Sequence, residues 1–516
     1  MFRFAGWSNL EIWFYFFLIV IIAAILRLLP HFISRHGTGV DHWYWKLYIE
    51  TYRKTGSFPP VLDQFLLDLH QWYPPLFPLV IAKLPNFLYN RYSHLLAAGI
   101  DLARLGLVMV AAYAFTGHLT ALIAAGLVYA FTPILISYNV QLNPRGLGAL
   151  FLDTIVLLLI WLIWHNGALW GWALVVLISG LLLLTHKMTT QLFWFSCIFS
   201  GLLLSDWRLV ILAPLSIISA LILSRGFYFN ILRGHWDIVS FWNRNWRWLS
   251  AHQILESPIY GSPGYETPTK YYHSGIHGFI RRMQHLLGFN PWGWTILGVS
   301  LWMYWNDPMH IYLRMEDAWL IKWLSVILIF ILLTTFVPCL RCLGNGYLYN
   351  YNVTFPASIL VAHVWEALIS SGGELHHSIV VEYILYGTFL TCLVGISFYF
   401  GVLKNSKTLK VDSDIDFAIK HLKQLPDGVV MCFPAHWHDL IAYKTNKKVL
   451  SGGHGFGFKL SEPIWPRLLI PISEVIEKYK VKFILSYEGY LPDNFIKELP
   501  LDSSVSFGTY RLHCLK

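Results

Sequence analysis

The residues best suited to chemistry are one carboxylate and three cations, each set in a short polar segment of an otherwise apolar chain. The carboxylate lies in Gly39-Val40-Asp41-His42-Trp43-Tyr44-Trp45. Among aromatic rings, such a group suits general-base work on a hydroxyl or amine, or metal binding. The same Asp41 could instead open an amphipathic helix as its N-cap. Arg145 follows in Asn139-Val140-Gln141-Leu142-Asn143-Pro144-Arg145-Gly146, and Lys187 in Thr185-His186-Lys187-Met188-Thr189-Thr190. Arg341 opens a run that continues through Tyr347, Tyr349 and Tyr351 to Phe355-Pro356-Ala357. A guanidinium can fork onto phosphate, and an arginine among tyrosines suits a phosphate ligand well. Arg145 could alternatively snorkel towards lipid heads. In Gln71-Trp72-Tyr73-Pro74-Pro75-Leu76-Phe77 the tandem prolines block helix on their N-terminal side, so a helix should begin just after them.

The elements that must position these residues follow from composition. The 516 residues are 56% hydrophobic, 17% aromatic and 13% charged, with mean hydropathy +0.51. A soluble globular protein carries about 25% charged residues. This balance excludes a soluble enzyme and a disordered chain. A membrane helix needs about 20 apolar residues. Runs of that kind fall near 12–29, 97–116, 119–136, 148–164, 169–185, 190–204, 209–226, 291–305, 320–337, 353–370 and 379–402. About eleven transmembrane helices are therefore expected, the first too long and lacking the small-residue cleavage site of a signal peptide.

Two polar stretches interrupt the rhythm, 30–96 and 227–290, and both read as large structured loops. From about Lys404 the composition becomes that of a water-soluble unit. Asp412-Ser413-Asp414 reads as a helix start, with Ile415, Ala418, Ile419 and Leu422 on one face. Strands are expected at 429–433, 448–450, 481–487 and 505–515, with helices around Leu440 and at 472–479, which makes a small α/β domain. The chain thus divides into a membrane part, 1–403, and a C-terminal part, 404–516. An odd number of spans puts both long loops, the cation-bearing turns and the C-terminal domain on the face opposite Met1. The basic residues on that face, among them Arg53, Lys54, Arg233 and Arg244, oppose the positive-inside rule, although long loops count little in it. Net charge is +9, but no basic run is dense enough for nucleic acid. Six cysteines leave the redox compartment undecided, and neither Cys339 with Cys342 nor Cys432 with Cys514 is paired on sequence grounds.

In order and placement, these segments resemble the GT-C superfamily of membrane glycosyltransferases. That superfamily holds the protein mannosyltransferases, the aminoarabinose transferases of lipid A and the oligosaccharyltransferases. Its members have an acid in the first outer loop, a Pro-Pro-Leu lead-in to a surface helix, and a second outer loop about a hundred residues later. Asp41 and Arg145 are 104 residues apart. A His-containing turn after the fifth span, an Arg before a Phe-Pro-Ala-like span and a C-terminal outer domain complete the likeness. Two features depart from it. The second outer loop reads Asn143-Pro144-Arg145 where many members carry an acid, and the nearest acid is Asp153, inside the next span. The Trp-Trp-Asp-Tyr-Gly signature of oligosaccharyltransferases is absent, which favours a single-sugar transferase.

The resemblance implies an integral membrane glycosyltransferase that uses a polyprenyl-phosphate-linked sugar and inverts its anomeric carbon. Asp41 would be the base. Arg341, Lys187 and Arg145 would bind the donor phosphate, and His42, Tyr73, Asn143, His186, Tyr349 and Tyr351 would line the substrate site. The acceptor would be a protein, glycan or lipid, and the active site would face outward from the cell membrane. A divalent metal could be held by histidines such as His31, His36, His42 and His70, or His235, His252, His273 and His277 with Asp237 and Glu256, although no pair has a recognised ligand spacing. In the C-terminal part, the Gly-rich run at 451–458 reads as a flexible loop and a contact for the acceptor. The alternative is a transporter or flippase of a lipid-linked anion, which should show inverted repeats and mid-membrane charges.

Overall fold

The computed structural model describes residues 9–33, 41–67, 71–164, 169–249, 251–261, 275–306, 315–370, 378–405, 412–452 and 458–516. Each of the eleven apolar runs is helical over most of its length. Among the described residues six helices are long and apolar enough to cross a membrane: Leu10–Ile33, Asn86–Thr116, Arg145–Leu162, Glu316–Phe336, Gly346–Ser370 and Ile379–Asn405. Others are shorter than a full span, including Leu119–Ala130, Leu169–Leu183 and Trp207–Leu223. The expected run at 119–136 is broken where Pro133, which lacks an N–H, starts a separate helix Pro133–Tyr138.

The first helix, α1 (Asn9–Ile33), shows how such a chain meets lipid. Trp13, Phe14, Phe17, Ile21 and Ile25 are exposed along one side, whereas Arg27 is buried. The Arg27 guanidinium donates to Asp101 Oδ2 at 2.9 Å, and Tyr129 donates to Asp101 Oδ1 at 2.8 Å. Arg104 donates to Asp153 Oδ2 at 2.8 Å. Charges at bilayer depth are tolerated when paired, and these pairs tie four helices together. Asp153, the acid nearest the second outer loop in sequence, is therefore one half of a buried ion pair.

Small residues let other helices approach closely, as membrane bundles require. A Cβ on Gly180 would fall 2.3 Å from Ser219 Oγ on the facing helix Trp207–Leu223.

The C-terminal residues form a five-stranded sheet of order β2-β1-β3-β5-β4. Its strands are β1 (Val429–Phe433), β2 (Lys448–Val449), β3 (Val481–Tyr487), β4 (Leu501–Phe507) and β5 (Tyr510–Leu515). The first three are parallel, while β3, β5 and β4 pair antiparallel. Every residue of β1 is buried, as a central parallel strand demands. The sequence reading had one strand over 505–515. The structure divides that stretch into two strands of a hairpin, because Gly508 at φ 55° allows a two-residue turn whose Thr509 N–H is held by Asp414 at 3.0 Å. The helix Ser413–Gln424 is capped by Asp412, which accepts from the N–H groups of Asp414 and Ile415. Ile415, Ala418, Ile419 and Leu422 are its buried face.

Both long loops dock on this sheet. Residues 64–67 add to the edge of β2: Val449 donates to Gln64 O at 2.7 Å and Leu66 to Val449 O at 3.0 Å. That covers an edge which would otherwise stay open to pairing with other chains. From the second loop, Tyr260 Oη accepts from Ile472 N at 2.8 Å and Ser257 donates to Leu468 O at 2.6 Å. The large polar segments therefore converge on one end of the helical bundle.

Candidate active site

Asp41 is the first residue of α2 (Asp41–Thr55), whose inner face is an aromatic block of Trp43, Tyr44, Trp45 and Tyr48. This block roots the helix, so Asp41 is presented on a rigid end. His42 beside it is buried and turns to the second outer loop, where its Nδ1 accepts from Leu142 N at 3.5 Å. Burial, and after it the charge of Lys46, holds the imidazole neutral with its pKa lowered to about 3.

The proline segment folds back onto this helix. Gln71 Oε1 accepts from Tyr44 at 2.6 Å, and Leu76, the first residue of α3 (Leu76–Ala82), donates its N–H to Leu184 O at 2.9 Å. Tyr73 is left fully buried, edge-on to Trp45 with centroids 5.0 Å apart. Its phenol is pushed well above the usual range, first by burial and then by the Asp41 carboxylate, with Arg145 opposing.

Arg145 and Lys187 start neighbouring helices. Asn143 makes the turn before Arg145: its Nδ2 donates to Tyr138 O at 2.8 Å and its Oδ1 accepts from Arg145 N at 3.0 Å. The guanidinium lies over the Tyr138 ring at 4.6 Å and the Tyr351 ring at 6.0 Å, donating to Leu348 O at 3.3 Å. His186 caps the helix Lys187–Leu204 by accepting from Thr189 N. The helices touch at Gly148, where a Cβ would lie 3.0 Å from His186 Cβ and 3.1 Å from Thr189 Oγ1.

The Lys187 ammonium stands 5.7 Å over the Tyr73 ring, at the end of its helix and ahead of the apolar run. Its pKa is lowered to about 8, mainly by burial; Asp41 acts against that shift and Arg145 adds to it. One carboxylate and two cations thus act on one another beside the rings of Tyr73 and Tyr138.

A second set continues the wall. Tyr349 donates to Gln191 Oε1 at 2.7 Å, and Gln191 Nε2 lies 2.8 Å from His235 Nε2. Burial, then the charge of Lys187, keeps His235 neutral with its pKa lowered to about 4. Tyr351 donates to Asn139 Oδ1 at 2.9 Å and sits on the buried Arg104, 4.9 Å away.

Asp41, Tyr73, Arg145 and Lys187 therefore come together, with His42, Asn143, His186, Tyr349 and Tyr351 supporting them. Arg341 is placed differently. Its guanidinium donates to the carbonyls of Thr335 (3.2 Å) and Phe336 (3.4 Å), at the end of the helix Met315–Phe336, and stacks on Trp246 at 4.5 Å. The sequence reading singled out neither Gln191 nor Tyr138, and gave His235 only as a metal candidate. Gln191 does carry a signal: it is the one amide in its apolar helix, four residues after Lys187 and so on the same face.

Among the described residues no three of His, Cys, Asp and Glu converge as a metal site would require. His36, His70, His273 and residues 453–457 of the Gly-rich run lie outside the described residues. All six cysteines are free thiols.

No family model and no curated protein matches this sequence. Solved structures do. The apo oligosaccharyltransferase of Archaeoglobus fulgidus is 12% identical with a TM-score of 0.61, over 93% of this chain and 70% of that one. ArnT from Cupriavidus metallidurans in the apo state is 13% identical with a TM-score of 0.57, over 98% of both chains. The same enzyme bound to undecaprenyl phosphate gives 12% and 0.56 over the same shares. The chain has a GT-C-like fold.

Proposed function

We propose that this chain is an integral membrane glycosyltransferase that takes its sugar from a polyprenyl-phosphate-linked donor. The observation that carries the reading is the meeting of Asp41 with Lys187 and Arg145 around Tyr73 in a GT-C-like fold. The structural neighbour bound to undecaprenyl phosphate supports the choice of donor. Asp41 accepts the proton of an acceptor hydroxyl or amine as that atom attacks the anomeric carbon from the face opposite the phosphate. The bond between the anomeric carbon and the phosphate oxygen breaks, and the configuration inverts. Lys187 and Arg145 receive the charge that develops on the departing polyprenyl phosphate, where fixed cations in a dry site act most strongly. Arg341, engaged with two carbonyls and Trp246, holds the wall beside them instead of meeting the phosphate directly. On this reading the chain passes the membrane about eleven times, with Asp41, both long loops and the C-terminal sheet on the extracytoplasmic face of the cell membrane.

The test is transfer by purified protein from a polyprenyl-phosphate sugar to an acceptor extract. Asp41→Asn should leave thermal unfolding unchanged and lower transfer by about a hundredfold or more, the scale of general-base loss. Near-normal transfer by that variant would return Asp41 to a capping role.

A further inference from the structure

Lys46, five residues after Asp41 on α2, belongs to a different cluster. Trp43 and Lys46, three residues apart and so on one side of α2, meet the helix His438–Thr445 of the C-terminal unit. The Trp43 and Tyr443 ring centroids are 5.4 Å apart. The Lys46 ammonium stands 5.9 Å from the Trp43 centroid and 5.8 Å from that of Tyr443, and the Lys444 ammonium stands 5.0 Å from that of Trp43. Two ammonium groups thus share one ring at the seam between α2 and the C-terminal unit. Lys444 is exposed, and Lys46, though half-buried, keeps its Nζ accessible.

The charges at this seam do not balance. Among the described residues neither ammonium takes part in a hydrogen bond or an ion pair. The carboxylate that acts on Lys46 is Glu50, whose Oε1 already accepts from Tyr443 at 2.6 Å and from Tyr89 at 3.3 Å. Aromatic faces attract cations without carrying a net charge, so two positive charges face one carboxylate. Lys46 registers the imbalance: burial lowers its pKa from the ordinary amine value, Glu50 opposes that shift and Lys444 adds to it. An anion between the two ammonium groups would offset their repulsion and accept charge-assisted hydrogen bonds from both.

The seam lies where two apolar helices end. Tyr89, which shares Glu50 with Tyr443, is in the first turn of the candidate span Asn86–Thr116. His94 follows in the same helix, close enough for its ring to feel the Lys46 charge. The His94 ring is 5.3 Å from that of His31, at the end of the candidate span Leu10–Ile33. Phe32, Phe87 and Tyr92 are exposed around these two helix ends, as aromatic side chains are at the level of lipid head groups. Depth and charge together choose the ligand: a phosphate carried by a membrane lipid. A zwitterionic head would bring its own cation to the pair and leave the repulsion in place.

We propose that Lys46 and Lys444 hold the phosphodiester of one anionic phospholipid beside Trp43, so that the lipid joins α2 and the C-terminal unit to the membrane surface. The site is separate from the Lys187 pocket, and its assignment does not depend on the transferase reading.

The experiment gives the full chain, delipidated in detergent, either phosphatidylglycerol or phosphatidylcholine and counts bound lipid by native mass spectrometry. One phosphatidylglycerol should bind more tightly than any further copy, and phosphatidylcholine should not fill that place. Lys46→Met and Lys444→Gln should each weaken the tight copy by about tenfold or more, the scale of one hydrogen bond to a charged group. Lys444→Arg, which keeps the charge, should bind as the parent does. Arg91→Gln removes an exposed cation from the start of the same span and should leave binding unchanged. Excess inorganic phosphate should not displace the lipid. Equal binding of phosphatidylcholine, or a tight copy retained in both charge-removing lysine variants, would overturn the proposal. So would loss in Lys444→Arg, an equal loss in Arg91→Gln, or displacement by inorganic phosphate.

Discussion

At the residue scale, the pocket turns on what burial does to Lys187. Its ammonium has a pKa near 8, lowered from 10.5. Below about pH 8 the cation is present; as pH rises through that value it is lost. The phosphodiester of a polyprenyl-phosphate sugar does not titrate in this range, so the lysine alone sets the trend. Donor affinity should fall about tenfold between pH 7 and pH 9, following a single proton. Lys187→Arg should bind with no such slope, because a guanidinium stays charged, and Lys187→Met should bind weakly at every pH. Titration calorimetry with the donor checks this, and a steep slope retained in the Arg variant would assign the proton elsewhere. Arg341 makes the opposite forecast. Its hydrogen bonds to Thr335 and Phe336 are structural, so Arg341→Ala should cost about 1–3 kcal/mol of stability with donor affinity changed less than threefold. A large loss of affinity at unchanged unfolding temperature would return Arg341 to the phosphate.

Elements position these residues through close contacts that sequence periodicity does not announce. Gly148 lets the Arg145 and Lys187 helices touch, and Gly180 does the same for the helices of Leu169 and Trp207. A Cβ at Gly180 would overlap Ser219 and approach Ala220 N at 3.0 Å, backbone that cannot move aside. Gly180→Ala should therefore destabilise the protein by about 1–3 kcal/mol, the usual range for overpacking. Gly99, in the helix Leu96–Thr116, has nothing within 4 Å of its Cβ position, and Gly99→Ala should be neutral or slightly stabilising. Thermal unfolding of the two variants side by side is the measurement. Equal behaviour would mean that the helices at Gly180 have room to separate.

For the whole molecule, the arrangement depends on which side of the membrane each polar segment occupies. Loop residues 64–67 pair with β2, and residues 253–260 pack on the same C-terminal unit, so both loops and the sheet must share a side. Ser57 and Ser413 are both exposed. Single cysteines at these positions, in a background lacking the native six, should both react with an impermeant thiol reagent in intact cells. Labelling of one in intact cells and of the other only after lysis would break the shared face. Labelling of both only after lysis would leave the face intact and turn it inward, in line with its excess of basic residues.

Composition by itself determined that this chain is a polytopic membrane protein, because 13% charge cannot solvate 516 residues. Local pattern found the Asp412 cap and the strand at Val429–Phe433, since capping and strand burial are read from neighbours in the chain. It also singled out Asp41, Arg145 and Lys187, because polar residues stand out in an apolar chain. Tertiary structure decided which of them meet. Arg341 lies in as promising a motif as Lys187, yet the carbonyls at a helix end and the face of Trp246 hold its guanidinium, and both are contacts made in space. His235 looked like one histidine among many until Gln191, 44 residues away, came within 2.8 Å. The hairpin at Gly508 was equally hidden. A turn's register and a side chain's partners depend on residues far along the chain, and only folding brings those together.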